Sequence, residues 1–249
     1  MSQHISRLRA GFTMIELIVV VAILAVLGGI AFPLIMQFRE SGDLTKCQSN
    51  LRQLAAVGQK YGADFMHKDM LPVSGMEDDP DTFMDESAGW WVSVAPEING
   101  VEMPEKEGER LILPGIFHCP KDLRVKIDEQ RGFLASPKSV SYVSWTDNSQ
   151  DDKAETSAIK LRQQNLDTLP WLSDGLPVAK KSVQTPGDFR KMVWAVRDRH
   201  SGRVVVAYAS GAVKTYDLKE FSSPDEAFRK IAPGISANAP KKPKKNRKK

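Results

Sequence analysis

The sequence predicts an α+β protein in which one long N-terminal helix, apolar in its first half and amphipathic in its second, packs on a small antiparallel β-sheet. Three observations carry this expectation. Leu17 to Met36 is a run of twenty residues without a formal charge or strongly polar group. Beyond Arg39, the residues Leu44, Cys47, Leu51, Leu54, Gly58, Tyr61 and Phe65 recur at spacings of three and four, which puts them on one face of a helix. Near the end, "GRVVVAYASGAVKTYDL" holds two β-rich runs joined around Ser210-Gly211, a hairpin signal. A helix first, with strands and hairpins after it, is the order of an α+β fold.

At 1.5 Å per residue the apolar run covers about 30 Å, the thickness of a bilayer's hydrocarbon core. The leader "MSQHISRLRAG" is short and positive, as the cytoplasmic flank of an N-terminal signal is. The run is too long for the apolar core of a cleaved secretory signal, and no small-residue cleavage region follows it. These features alone read as an uncleaved signal anchor. They leave Glu16 without a reason, because a carboxylate within a spanning helix is costly unless it has a partner. Pro33 is expected to kink or locally unwind the helix; the other reading is a tolerated membrane-helix proline. The whole helix is expected from about Thr13 to about Met66, about 80 Å long, with Ser41-Gly42 as its soft point.

The rest of the chain is read in shorter pieces. Residues 67–89 are polar and turn-rich, and their clustered acids Glu77, Asp78, Asp79 and Asp81 read either as a solvated loop or as a calcium site; they match no EF-hand spacing, which favours the loop. "WWVSVAPEI" suits a short helix or a strand, and its tryptophans suit a core. "LILPGIFHCPKD" brings Cys119 to a turn set by Pro120, and "SVSYVSW" reads as a strand. Thr146 to Pro186 is polar and irregular, and no element is assigned there. "RKMVWAV" is a strand candidate.

Charge and motifs exclude several functions. The final nine residues, "KKPKKNRKK", carry seven positive charges, and the leader carries Arg7 and Arg9. Without those nine cations, Phe12 to Pro240 has 26 basic against 31 acidic residues, a formal charge of −5. The body is therefore mildly acidic, not a basic nucleic-acid-binding fold. The two cysteines form no C-x-x-C pair, and no His/Cys group has zinc-ligand spacing, so neither a metal nor a cofactor is expected. The four histidines are scattered and no G-x-S-x-G occurs. No enzyme is expected.

The residues "GFTMIEL" resemble the processing site of type IV prepilins, the family of type IV pilins and type II secretion pseudopilins. The resemblance implies cleavage between Gly11 and Phe12 by a prepilin peptidase, methylation of Phe12 as the new N-terminus, and a role for Glu16 in assembly. Cleavage creates an amine on Phe12 one helical turn from Glu16. Pairing of that carboxylate with its own or a neighbour's amine relieves its cost in a low dielectric. The implied organisation is a leader (1–11), a transmembrane and filament-core helix (12–38), the amphipathic half of the same helix (39–66), an exported α+β domain (67–235) and a polybasic tail (236–249). The implied location is the bacterial inner membrane, single-pass, with a cytoplasmic N-terminus and a periplasmic or extracellular domain. Copies of the chain or other pilin-like subunits are the implied partners.

A second, narrower resemblance is to prepilin-like proteins with an H-x9-D-G signature. "CQSNLRQLAAVGQKYGADF", "FHCPKD", "SYVSW" and "RHSGRVVVAYASGAVK" fit that template in order. His200 and Gly211 stand at the signature positions, with Ser210 in place of the aspartate. His200 reads either as a hydrogen-bonded structural residue or as a base or ligand.

An exported domain permits a disulfide. Cys47 lies on the helix's apolar stripe and Cys119 on the domain expected to pack against it. A Cys47–Cys119 bond would close a loop of about 70 residues and stabilise by roughly 4 kcal/mol in the chain-entropy model; the other reading is two buried free thiols. The tail Lys241–Lys249 is expected to be disordered, either simply solvated or an arm for an anionic partner. Two functions follow: a filament subunit assembled through its N-terminal helix, or a membrane-tethered binding module that captures an anionic partner with its tail.

Overall fold

The computed structural model describes residues 13–64, 69–72, 89–103, 111–124, 133–134, 140–145, 159–162, 164–177 and 182–238. The cleavage-site pair Gly11 and Phe12, the acidic loop 77–81 and the tail Lys241–Lys249 lie outside them. Helix α1 runs from Met14 to Ala63. It ends three residues short of the expected Met66, and it continues unbroken through Pro33. No unwound turn marks that proline.

The chain divides into two compact units after Gly42. In the first, the large apolar side chains of α1 from Met14 to Phe38 are each 46–82% exposed. By length and composition this helix can cross a membrane. Its N-terminus is fixed by a capping box. The Thr13 backbone N–H and Oγ1 both donate to Glu16 Oε2 at 2.8 Å, and Glu16 N–H donates back to Thr13 Oγ1 at 3.3 Å. Two of the helix's orphan donors are thereby satisfied reciprocally.

The second unit holds the rest of α1 and everything after it. Helix α2 (Trp90–Val94) precedes a small pair of strands, β1 (Ile112–Leu113) and β2 (Phe133–Leu134). The main sheet has four antiparallel strands in the order β3 (Tyr142–Ser144), β4 (Pro170–Asp174), β5 (Arg203–Tyr208) and β6 (Val213–Asp217). The fold is thus α+β and pilin-like, a long N-terminal helix with a small antiparallel sheet.

The sheet buries both faces. On one, Leu44, Cys47, Leu51 and Leu54 of α1 share a core with Tyr142, Leu172, Val205 and Ala207. These are the amphipathic-stripe positions, and each is 0–8% exposed. On the other, Val143, Val204, Val206 and Tyr208 pack with Phe189 of α3 (Pro186–Met192) and Phe228 and Ile231 of α4 (Pro224–Ile231). Trp145 stacks on Phe228 with ring centroids 5.8 Å apart.

One expectation fails here. "RKMVWAV" is not a strand: α3 and a 3-10 turn over Trp194–His200 occupy it. The reason is a capping box with Pro at the first helical position, Thr185 accepting from Asp188 N–H and Asp188 from Thr185 N–H. The stretch Thr146–Pro186 holds β4, a central strand whose five residues are all buried. Helix α5 (Pro233–Asn238) is the last element described.

Candidate functional site: the start of the N-terminal helix and a buried Cys-His-Asp cluster

Glu16 sits in the first turn of α1 with its carboxylate engaged by Thr13 alone among the described residues. The T-x-x-E pattern ahead of an apolar run was the sequence signal for this bond. Both partners lie on the retained side of a cut between Gly11 and Phe12, so processing there leaves the capping box intact.

The signature pair in the hairpin is not a site with His200. The β5–β6 turn closes with Tyr208 N–H donating to the Ala212 carbonyl at 2.8 Å, and Ser210 Oγ accepts from Ala212 N–H at 3.3 Å. Gly211 has φ +86°, which favours glycine, and a side chain there would press on the Gln59 amide of α1 at 3.0 Å. His200 precedes β5 and Ser210-Gly211 follows it, so the strand's length separates them.

His200 instead meets residues far from it in sequence. It is fully buried at the end of the 3-10 turn that leads into β5. Its Nε2 lies 3.1 Å from Cys119 Sγ and 3.6 Å from Asp174 Oδ2. Cys119 opens the turn closed by Asp122 N–H on the Cys119 carbonyl at 2.8 Å. Cys47 reaches the cluster from the α1 stripe, and Asp174 is the last residue of β4, paired in register with Tyr142. Both cysteines are free thiols and buried. One ligating atom from each of Cys47, Cys119, Asp174 and His200 lies within 4.8 Å of the others.

Charged neighbours hold this cluster in place. Arg199 bridges two buried carboxylates, with Nη1 2.7 Å from Asp174 Oδ1 and Nη2 2.8 Å from Asp122 Oδ2. Asp122 also accepts from Ser141 Oγ at 2.7 Å and Arg124 Nε at 2.8 Å. On the α1 side, buried Asn50 donates to the His118 carbonyl at 3.0 Å and to Tyr142 Oη at 3.2 Å.

The electrostatics follow from proximity and burial. The bond from Cys47 and then the contact with His200 bring the Cys119 thiol down to about 5 against its burial, while the same bond and burial push Cys47 well up. Burial, then the charge on Cys119, raises Asp174 to about 7 despite Arg199. Burial alone would lower His200, but the Cys119 contact and the charges of Cys119 and Asp174 carry it upward. A nucleophilic triad would need the carboxylate on the imidazole's other nitrogen. Here Asp174 and Cys119 face the same nitrogen, and Nδ1 has no hydrogen-bond partner among the described residues.

The family model of the prokaryotic N-terminal methylation motif matches residues 6–32, which takes in Gly11, Phe12 and Glu16. No curated protein and no solved structure matches the chain. That motif, on an apolar helix followed in the chain by an α+β domain, supports a type IV pilin- or pseudopilin-like protein, and the helix fits a single-pass inner-membrane anchor.

Proposed function

We propose that the chain is a structural subunit of a type II secretion or type IV pilus-like filament. A prepilin peptidase cuts it after Gly11, Phe12 is methylated, and the subunit assembles through its N-terminal helix with copies of itself or other pilin-like subunits. The globular domain is then periplasmic or extracellular. The methylation motif over residues 6–32 carries this reading. The exposed apolar side chains from Met14 to Phe38 support it, since such a surface calls for lipid or neighbouring helices to cover it.

Glu16 has two uses in this reading. It caps its own helix through Thr13, and it meets the Phe12 amine of an adjacent subunit, which makes its burial tolerable only beside a correctly placed neighbour. The H-x9-D-G template is the narrower assignment, with His200 and Gly211 in position and Ser210 in place of the aspartate. The family of the motif is structural, not enzymatic. The tethered-module alternative rests on the Lys241–Lys249 tail, which lies outside the described residues.

Intact mass and N-terminal sequencing of the membrane-extracted chain test the reading. A chain that begins at N-methylated Phe12 is expected. A chain that still begins at Met1 or Ser2 sinks it and leaves the tethered module. Glu16→Ala should abolish incorporation into filaments, whereas deletion of Lys241–Lys249 should not.

A further inference from the structure

We propose that Cys47, Cys119, Asp174 and His200 form a closed structural site for one zinc-type divalent cation in the globular unit. Four Lewis bases from four separate parts of the chain converge on one point, each with its ligating atom within 4.8 Å of the rest. A tetrahedral zinc with sulfur, nitrogen and oxygen ligands requires ligand–ligand separations of about 3.3–3.8 Å, by its ordinary bond lengths. The His200 Nε2 distances of 3.1 Å to Cys119 and 3.6 Å to Asp174 are close to that.

The arrangement has a chemical peculiarity that an ordinary core does not need. One imidazole nitrogen faces both a sulfur and a carboxylate oxygen, with a second sulfur beside them. A proton on Nε2 serves one of these acceptors well. A cation at the centre serves all four. The surroundings fit this use. Arg199 holds Asp174 by Oδ1, leaving Oδ2 turned to His200, so the carboxylate is oriented from outside the cluster. Two thiolates and a carboxylate around a dication leave one negative charge, which the Arg199 guanidinium offsets.

Ligand type selects the ion. Two sulfurs and an imidazole suit zinc; calcium and magnesium want oxygen ligands. Four protein ligands and full burial leave no open position, which marks a structural rather than a catalytic centre. As the ion binds, both sulfurs coordinate as thiolates and His200 as neutral imidazole, and the protons they held pass to solvent. A Cys47–Cys119 disulfide would consume the same two sulfurs, so the two states exclude each other. The inference does not depend on how the N-terminus is processed or on filament formation.

The test uses the full chain extracted in detergent without reductant or chelator. Metal content is measured by plasma mass spectrometry, and intact mass is read after thiol alkylation under denaturing, non-reducing conditions. About one zinc per chain, with both thiols alkylated once the metal is released, is the expected result. Cobalt(II) chloride added to the stripped protein should give a thiolate-to-cobalt charge-transfer band and the visible bands of a tetrahedral site. Asp174→Asn should weaken cobalt binding by roughly 10-fold or more. A mass two hydrogens short with no metal means a disulfide and overturns the proposal. Free thiols that take up neither zinc nor cobalt overturn it equally. Both arms are read on the unaltered protein, so a variant that fails to fold does not decide the matter.

Discussion

At the residue scale, close approach decides more than chemistry does. Gly58 lies on the buried stripe of α1, and a methyl group there would sit 2.1 Å from the Trp171 ring. Alanine gains roughly 1 kcal/mol of helix propensity over glycine, whereas overpacking a filled core costs about 1–3 kcal/mol. At 2.1 Å the overlap should win, so Gly58→Ala lowers the denaturant midpoint of the detergent-solubilised chain followed by tryptophan fluorescence. An unchanged or raised midpoint would show that the helix and Trp171 separate freely. Tyr208 makes a different kind of contact: its hydroxyl donates to the buried Ile231 carbonyl at 2.9 Å and lies 2.6 Å from Tyr216 Oη. Tyr208→Phe strands that carbonyl and should destabilise by about 1–3 kcal/mol. A loss near zero in the same measurement would mean water replaces the hydroxyl.

At the element scale, caps explain where helices begin in stretches whose apolar pattern is ambiguous. The residues after Thr185 carry enough β-branched and aromatic character to read as a strand, yet Pro186 and the Thr185–Asp188 box start a helix there. Ser223 does the same for α4, accepting from Glu226 N–H, with Pro224 at the first helical position and Glu226 Oε2 accepting from Ser222 N–H. Helix α4 places Phe228 and Ile231 against the sheet, so losing its cap loosens a whole core face. Ser223→Ala and Thr185→Ala should each destabilise by about 1 kcal/mol, and Ser223→Gly by only a few tenths. Equilibrium denaturation of the three variants checks the order; a glycine variant worse than the alanine one would remove the capping explanation.

At the whole-molecule scale, the chain joins two units with opposite solvent demands. The first presents apolar side chains outward along α1, while the second buries its apolar residues on both faces of one sheet. A chain beginning at Asp43 should therefore stay monomeric without detergent and keep a cooperative thermal transition, whereas the full chain should need detergent or a filament. Light scattering and calorimetry on the two forms test this. Aggregation of the shorter chain would mean that the first unit protects part of the second.

The sequence by itself determined the features that are local and periodic: the apolar half-helix, the stripe from Leu44 to Tyr61, the strand at Tyr142–Ser144 and the hairpin turning at Ser210-Gly211. It also held the N-terminal methylation motif, whose residues are contiguous. The T-P-x-D and S-P-x-E caps of α3 and α4 also stand in the sequence, but the β-branched and aromatic residues after the first point to a strand, and no element is assigned at the second. Strand β4 was not legible, because a central strand buried on both faces has no alternation to reveal it. The meeting of Cys47, Cys119, Asp174 and His200 was decided by tertiary structure alone. Their ligating atoms come from a helix, a turn, a strand end and a 3-10 turn spread over more than a hundred residues. Spacing rules detect ligands carried on one local loop. Only the packing of α1 on the β3–β4 edge brings these four together.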